Sequence, residues 1–413
     1  MGLKLLINSL FRGGAEKQFA ALARLLPHDA LILLENEISR PADAAVVKVL
    51  SGHRSSTSSL YKTAFIPFYA RRLAALTGPG DTVLSFMERA NIVNVQAAEL
   101  SGHKAVICER TSPSGEFSGL RGVLMRPLIR RNYPAAARIV ANSEGVKTDL
   151  SDNFGVPARK ITVIHNGCDV PGISVLAAAG LPPGWPAVFE RQVIAAGGRL
   201  TAAKGHWHLL RIFRELKKNL PGAALVILGE GELEGYLRAL SVSLGFKTFS
   251  GPGAPPPDAD VYFAGFRENP YRFISKASLF AFTSLWEGFP NALLEAMACG
   301  TPVVSADCAS GPREILSSSA NPGRALTPEH AAYGLLMPVL SGTRPPAGAP
   351  PEPEEKVWAE KLSEMLAAPA ALRSYAGAGL GRAADFDLPK TAAVWLEFLN
   401  GTRQMPGGEK ATT

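Results

Sequence analysis

The sequence predicts an α/β fold of two consecutive doubly wound units, and three observations predict it. Short apolar runs alternate with helical apolar periodicity along nearly the whole chain, the mark of parallel strands joined by crossover helices. The runs fall into two series, separated by a stretch broken by Gly and Pro. The chain has 413 residues, 46% of them hydrophobic, enough for two or three cores rather than one.

The first series is KLLINS, ALILLE, DTVLSF, KAVICE, ARIVANS and KITVIHNG, and it defines a first domain over 1–175. PGISVLAAAGLPPGWP then interrupts the pattern, which places a linker at 176–190. A second series, RQVIAAGGRL, AALVILGEG, DVYFAG, LFAFTS and TPVVSA, defines a second domain over 191–385. Within it, SVSLGFKTFSGPGAPPPDAD and SGTRPPAGAPPEPEE read as mobile surface loops. KTAAVWLEFLN is an amphipathic helix, placed at 386–400 and expected to pack back toward the first domain, and 401–413 reads as a disordered tail. Ligands of doubly wound sheets sit at the carboxyl ends of the strands, so two such units in tandem predict a cleft.

Composition narrows the function classes. Forty-three Lys and Arg against 36 Asp and Glu give a formal charge of +7, which suits anionic partners such as phosphates or a membrane surface and selects none of them. Cys108, Cys168, Cys299 and Cys308 lie in apolar contexts without a CxxC pair, as reduced core thiols of a cytoplasmic protein do. No apolar run approaches the ~20 residues of a spanning helix. MGLKLLINSL lacks the h-region of a signal peptide and reads as a first strand.

The chemistry concentrates in TSLWEGFPNALLEAMACGTPVVSAD, residues 283–307. LFAFTS is a buried strand and NALLEAMACG a helix closed by Gly300. Pro290 and Asn291 occupy the first turn, where unbonded amides can hold a phosphate or a sugar hydroxyl. Glu287 precedes the helix and Glu295 lies one turn inside it. Both carboxylates can therefore enter one pocket, one to accept from a sugar and the other from a ribose diol. The competing reading is two solvated carboxylates at a helix entry. In AAGGRLTAAKGHWHLL, Arg199 and Lys204 follow a strand and precede a helix, where cations can steady a departing diphosphate. His206 and His208 form a His-x-His with no acidic or cysteine ligand beside it in sequence, which favours packing or surface over a metal. Gly13 and Gly14 open a helix after the first strand and permit close approach of a phosphate. VILGEG lacks the third glycine of a dinucleotide fingerprint and reads as a turn.

Glu-x7-Glu in this setting, with CGTPVVSAD and GPREIL after it, resembles the signature of the family 4 glycosyltransferases, and the resemblance covers nearly the whole chain. It implies the GT-B fold, two Rossmann-like domains facing each other across a cleft, and transfer of a sugar from a nucleotide donor with retention of configuration. In the roles it implies, Arg199 and Lys204 stabilise the leaving diphosphate without a metal or other cofactor. Glu287 contacts the donor sugar and Glu295 the ribose, with Gly288, Phe289, Pro290 and Asn291 completing that loop. Gly265 and Phe266 of FAGF resemble the segment that meets the base, and Gly13 and Gly14 the first-domain loop that touches the diphosphate as the domains close. The donor expected is a UDP-hexose or UDP-N-acetylhexosamine. GPREIL resembles a subset acting on bacterial cell-surface or lipid-linked glycans, which implies a glycan acceptor such as one on a polyprenyl diphosphate.

Where many relatives carry a histidine near the end of a first-domain strand, this chain has VICERTSPSGEF. Glu109 and Arg110 are therefore the acceptor-side candidates. Arg110 either binds an acceptor phosphate or sugar, or pairs with Glu109. SGLRGVLMRPLIRRNYPAAARIV carries Arg121, Arg126, Arg130 and Arg131 among leucines, and YKTAFIPFYARRL adds a second basic, aromatic stretch. They either rest the first domain on an anionic membrane at its cytoplasmic face or are ordinary solvated helix arginines. No nucleic-acid recognition module is present. A GT-B epimerase or phosphorylase would need an added acid/base cluster or a cofactor lysine, and neither is seen. A non-catalytic sugar-nucleotide scaffold would tolerate loss of the Arg, Lys and Glu set, which is complete here.

Overall fold

The computed structural model describes residues 2–11, 13–39, 47–318 and 323–404. The chain forms two compact units, one of residues 1–167 with the segment from Leu388 onward, the other of Cys168–Asp387.

The first unit holds one parallel sheet. Its strands are β1 (Leu3–Ile7), β2 (Ala30–Leu33), β3 (Val47–Val49), β4 (Thr82–Phe86), β5 (Lys104–Glu109), β6 (Arg138–Ala141) and β7 (Ile161–Val163). They lie in the order β3-β2-β1-β4-β5-β6-β7. The chain winds from β1 to β3 on one side and from β4 to β7 on the other, so the winding reverses between β1 and β4. Leu6, Ile32, Val83 and Ile107 pack into a cluster on one face, and Leu5, Leu33, Leu84 and Val106 into one on the other. Burial on both faces is why these strands read as continuous apolar runs rather than alternating ones. The C-terminal helix, Leu388–Gln404, belongs to this unit and stacks Trp395 on Phe86, ring centroids 5.8 Å apart. It runs beyond the expected 386–400, because Thr402 is buried and bonds back to the Phe398 carbonyl. Of the tail expected at 401–413, residues 401–404 are helical and the rest lie outside the described residues.

The second unit holds β8 (Val193–Gly197), β9 (Ala224–Leu228), β10 (Thr248–Ser250), β11 (Val261–Gly265), β12 (Leu279–Phe282), β13 (Val303–Ala306), β14 (Glu329–Ala331) and β15 (Gly334–Met337). The order is β10-β11-β9-β8-β12-β13-β15-β14, parallel except for the β14–β15 pair. Here the winding reverses between β8 and β12.

Three expectations are corrected. The unit boundary falls at 167/168, not at 175. The stretch 176–190 is no linker, because Ala177, Trp185 and Val188 are buried in the second unit's core. Its Gly184 and Pro186 instead open a short helix, Trp185–Val188, which follows the helix Val170–Ala177. Both supposed mobile loops are tied down. Arg191 donates to the Pro257 and Ala259 carbonyls across the first, and Arg211 to the Pro346 and Pro350 carbonyls across the second. Trp207 adds a bond to the Thr343 carbonyl.

Candidate active site

In the second unit the loops after β8 and β12 leave the carboxyl edge where the winding reverses, the place where a doubly wound sheet leaves room for a ligand. The loop after β8 carries Arg199 and the turn Ala202–Lys204; the loop after β12 carries Glu287 and leads into the helix Asn291–Ala298. Leu285 N–H donates to the Ala203 carbonyl at 2.7 Å, and the Thr283 hydroxyl to the Lys204 carbonyl at 3.0 Å, so the two loops move as one body. Lys204 Nζ donates to Glu287 Oε1 and lies 5.1 Å from the centre of the Phe282 ring. Gly198 leaves space for its stem, since a Cβ there would come 3.2 Å from Lys204 Cε. Arg199 is exposed and forms no ion pair among the described residues.

Ser310 and Gly311 brace the Glu287 loop from a third segment. The Ser310 hydroxyl donates to the Glu287 carbonyl at 2.5 Å, and a Cβ on Gly311 would sit 2.5 Å from Pro290 and 2.8 Å from the Gly288 carbonyl. Sequence reasoning missed both roles, along with that of Thr283. Gly205 is equally constrained, with φ +59 and a virtual Cβ 2.5 Å from the Thr283 carbonyl. Gly205→Ala should cost about 2 kcal/mol of stability, in the range for a substitution at a strained backbone position, and should weaken nucleotide binding by pushing the Lys204 turn off β12. Thermal unfolding with and without nucleotide checks both.

Other predicted residues fall as follows. Glu295 is half-buried in the helix one turn beyond Asn291. The Phe289 side chain is a core group packed on Phe386 at 5.4 Å. Gly265 ends β11 with φ +69, and Phe266, 39% exposed, gives its amide to Glu230 Oε1. GPREIL is structural in part, since Arg313 bridges Asp307 and Glu329. His206 and His208 are buried, and burial pushes His206 down to about 3. Contrary to the sequence reading, His208 does meet carboxylates, Glu355 directly and Glu352 nearby. Glu355 is already held by both its oxygens on Arg211, so a cation there would face a guanidinium.

In the first unit Gly13 precedes the helix Gly14–Ala23, and a Cβ on Gly13 would meet the Glu16 carboxylate at 1.9 Å. Glu16 therefore sits at the helix start that was expected to take a phosphate. Glu109 ends β5 fully buried, accepting from the Tyr133 hydroxyl and from the Arg110 amide, and burial pushes its carboxyl up to about 8. The Arg110 guanidinium does not pair with Glu109. It reaches Asn166 and the Cys108 sulfur and lies 5.1 Å from the Phe86 ring centre. On the helix Gly119–Asn132, Arg121, Arg130 and Arg131 are exposed, whereas Arg126 is spent on the Phe117 and Ser114 carbonyls. Val123 and Leu124 are exposed beside them.

The chain thus carries two Rossmann-like units, the second with this loop pair at its switch point. Two family profiles match, the one described as Glycosyltransferase Family 4 over residues 12–170 and Glycosyl transferases group 1 over 186–332. The chain is 30% identical, over 97% of its length and 99% of the relative's, to a Campylobacter jejuni N-acetylgalactosamine-N,N'-diacetylbacillosaminyl-diphospho-undecaprenol 4-alpha-N-acetylgalactosaminyltransferase. It is 29% identical, over 49% of its length and 52% of the relative's, to the lipopolysaccharide 1,6-galactosyltransferase of Salmonella typhimurium. Among solved structures it resembles Anabaena HepE in complex with UDP-glucose, with a TM-score of 0.71 and 20% identity over 97% of this chain and 100% of that one. The chain belongs to glycosyltransferase family 4.

Proposed function

We propose that this glycosyltransferase takes a UDP-linked hexose or N-acetylhexosamine as donor and transfers the sugar, with retention, to a glycan carried on a polyprenyl diphosphate. The observation that carries the donor half is the Lys204–Glu287 pair on two hydrogen-bonded loops at the switch point. A diphosphate leaving group needs fixed cations, and a sugar needs acceptors for its hydroxyls; the pair offers both from one rigid body. Arg199, exposed beside Lys204, supplies the second cation, so charge is met by side chains and no metal is assigned. Glu295 takes the ribose, and Gly265 and Phe266 the base. Retention follows the family resemblance. Among the described residues no acid and base pair is assigned to the site, so attack comes from the leaving-group side, with the departing phosphate accepting the proton. Calorimetric titration with UDP, GDP and ADP tests the donor. UDP should bind tightest, and tighter binding of a purine nucleotide contradicts the assignment.

The acceptor half draws support from the Campylobacter relative, whose name specifies a diphospho-undecaprenol substrate. No helix among the described residues is long and apolar enough to cross a membrane. We place the enzyme at the cytoplasmic membrane face through Arg121, Arg130 and Arg131, with Val123 and Leu124 among the headgroups. Leu60, Tyr61 and Phe68, exposed near Arg71 and Arg72, form a second such patch in the same unit. Neutralising Arg121, Arg130 and Arg131 together should weaken binding to anionic liposomes by about 3 kcal/mol, less at high salt. A parent enzyme that stays in the supernatant with anionic vesicles at low salt contradicts membrane docking.

A further inference from the structure

The carboxyl edge of the first sheet holds a row of polar groups that the fold itself does not satisfy. Asn8 follows β1, Arg110 follows β5 and Asn142 follows β6, and each is more than nine-tenths buried, at 8%, 9% and 1% exposure. Yet Asn8 Oδ1, Arg110 Nε and Asn142 Oδ1 have no hydrogen-bond partner. A buried donor or acceptor left unpaired weakens the fold, and such groups in native proteins call for a ligand or water. Between them in the strand order, at the end of β4, stands Met87 with φ 75, the one positive-φ residue other than glycine among the described residues. Strain of this kind gathers at functional sites. The row straddles the β1/β4 switch point, the position that in the second unit carries the Lys204–Glu287 loops.

The chemistry of the row selects its ligand. The Asn142 amide is fixed, because its Nδ2 donates to the Arg110 carbonyl at 2.9 Å and turning it over would set two oxygens together. Its free Oδ1 can only accept. Asn8 is held only by a 4.0 Å contact from Nδ2 to the Met87 sulfur, so it can present either edge. Arg110 offers a donor, its other guanidinium nitrogens being turned to Cys108 and Asn166, and Arg89 is already paired with Glu35 at 2.8 Å. A phosphate has only acceptors and would oppose the Asn142 oxygen. A hydroxyl both donates and accepts, which matches an amide oxygen beside a guanidinium N–H.

We propose that Asn8, Arg110 and Asn142 hold the hydroxyl groups of the acceptor's sugar, and that the acceptor's phosphates bind elsewhere. The inference rests on the glycosyl-transfer reading for what the sugar is there to do. The test needs no donor and no turnover. Binding of octyl glycosides of N-acetylgalactosamine, galactose and glucose is followed by saturation-transfer NMR and titration, alongside inorganic pyrophosphate. The parent should bind at least one glycoside. Arg110→Gln and Asn142→Ala should each weaken it roughly tenfold or more, while leaving UDP affinity and the unfolding temperature close to those of the parent. Arg110→Lys, which keeps charge and bulk but loses the Nε–H, should lose the glycoside too. Three outcomes overturn the inference: no glycoside binds the parent, the variants bind it unchanged, or they lose pyrophosphate and keep the glycoside. UDP affinity reports separately on the donor site, so loss of UDP binding by the parent would count against the proposed function and not against this row.

Discussion

Lys204→Ala should lower kcat/KM for sugar transfer by roughly a hundredfold, about 3 kcal/mol of transition-state stabilisation, as removal of one preorganised charge contact does elsewhere. Most of the loss should fall on kcat, because negative charge on the leaving diphosphate grows as its bond to the sugar breaks. The pairing of Lys204 with Glu287 sharpens the expectation. Removing the cation alone leaves the Glu287 carboxylate, only 13% exposed, uncompensated beside an anionic leaving group. The double variant Lys204→Ala/Glu287→Gln should therefore lose less than the sum of the two single losses. Steady-state kinetics on the cycle measures this. Near-parental turnover by Lys204→Ala removes Lys204 from the leaving-group role.

The second large effect separates the two glutamates. Glu287→Gln should leave UDP affinity within about twofold of the parent and reduce transfer by roughly a hundredfold, since the sugar it is proposed to contact is absent from UDP. Glu295→Gln should weaken UDP itself by about 1.5–3 kcal/mol, the worth of a hydrogen bond to a charged group. Calorimetry on both variants decides. Equal losses of UDP affinity would show that the roles are shared or reversed.

The central strands were legible because strands buried on both faces read as unbroken apolar runs, and all six named in the first unit and five in the second are present. Of the strands that escaped, β3, β10 and β14 are short and only partly buried, so no apolar run marks them, and β15 is four residues that begin with a glycine. The misplaced linker has a similar cause. Gly and Pro punctuate residues 171–186, and nothing local says that Ile173 and Trp185 are core. Long-range contacts were invisible for a different reason. Arg211 pins a proline-rich segment from 135 residues away, and Glu355 reaches His208 from 147.

The candidate site shows the same division. Glu287, Glu295, Arg199 and Lys204 stood out through their spacing around strand ends. That Lys204 would pair with Glu287, 83 residues on, or that Ser310 and Gly311 would brace the loop, depends on strand order, which a lone sequence does not carry. Asn8 and Asn142 were passed over because asparagine at a strand end is ordinary turn chemistry; their unpaired oxygens emerge only once the sheet is assembled.

The most direct test of the account is acceptor-dependent release of UDP from a panel of UDP-sugars, with the anomeric configuration of the product read by NMR. The account predicts that one UDP-hexose or UDP-N-acetylhexosamine is consumed only when a polyprenyl-diphosphate glycan is present, that the new linkage is α, and that Lys204→Ala nearly abolishes it. Turnover of a GDP- or ADP-sugar in preference to every UDP-sugar, or a β-linked product, would contradict it.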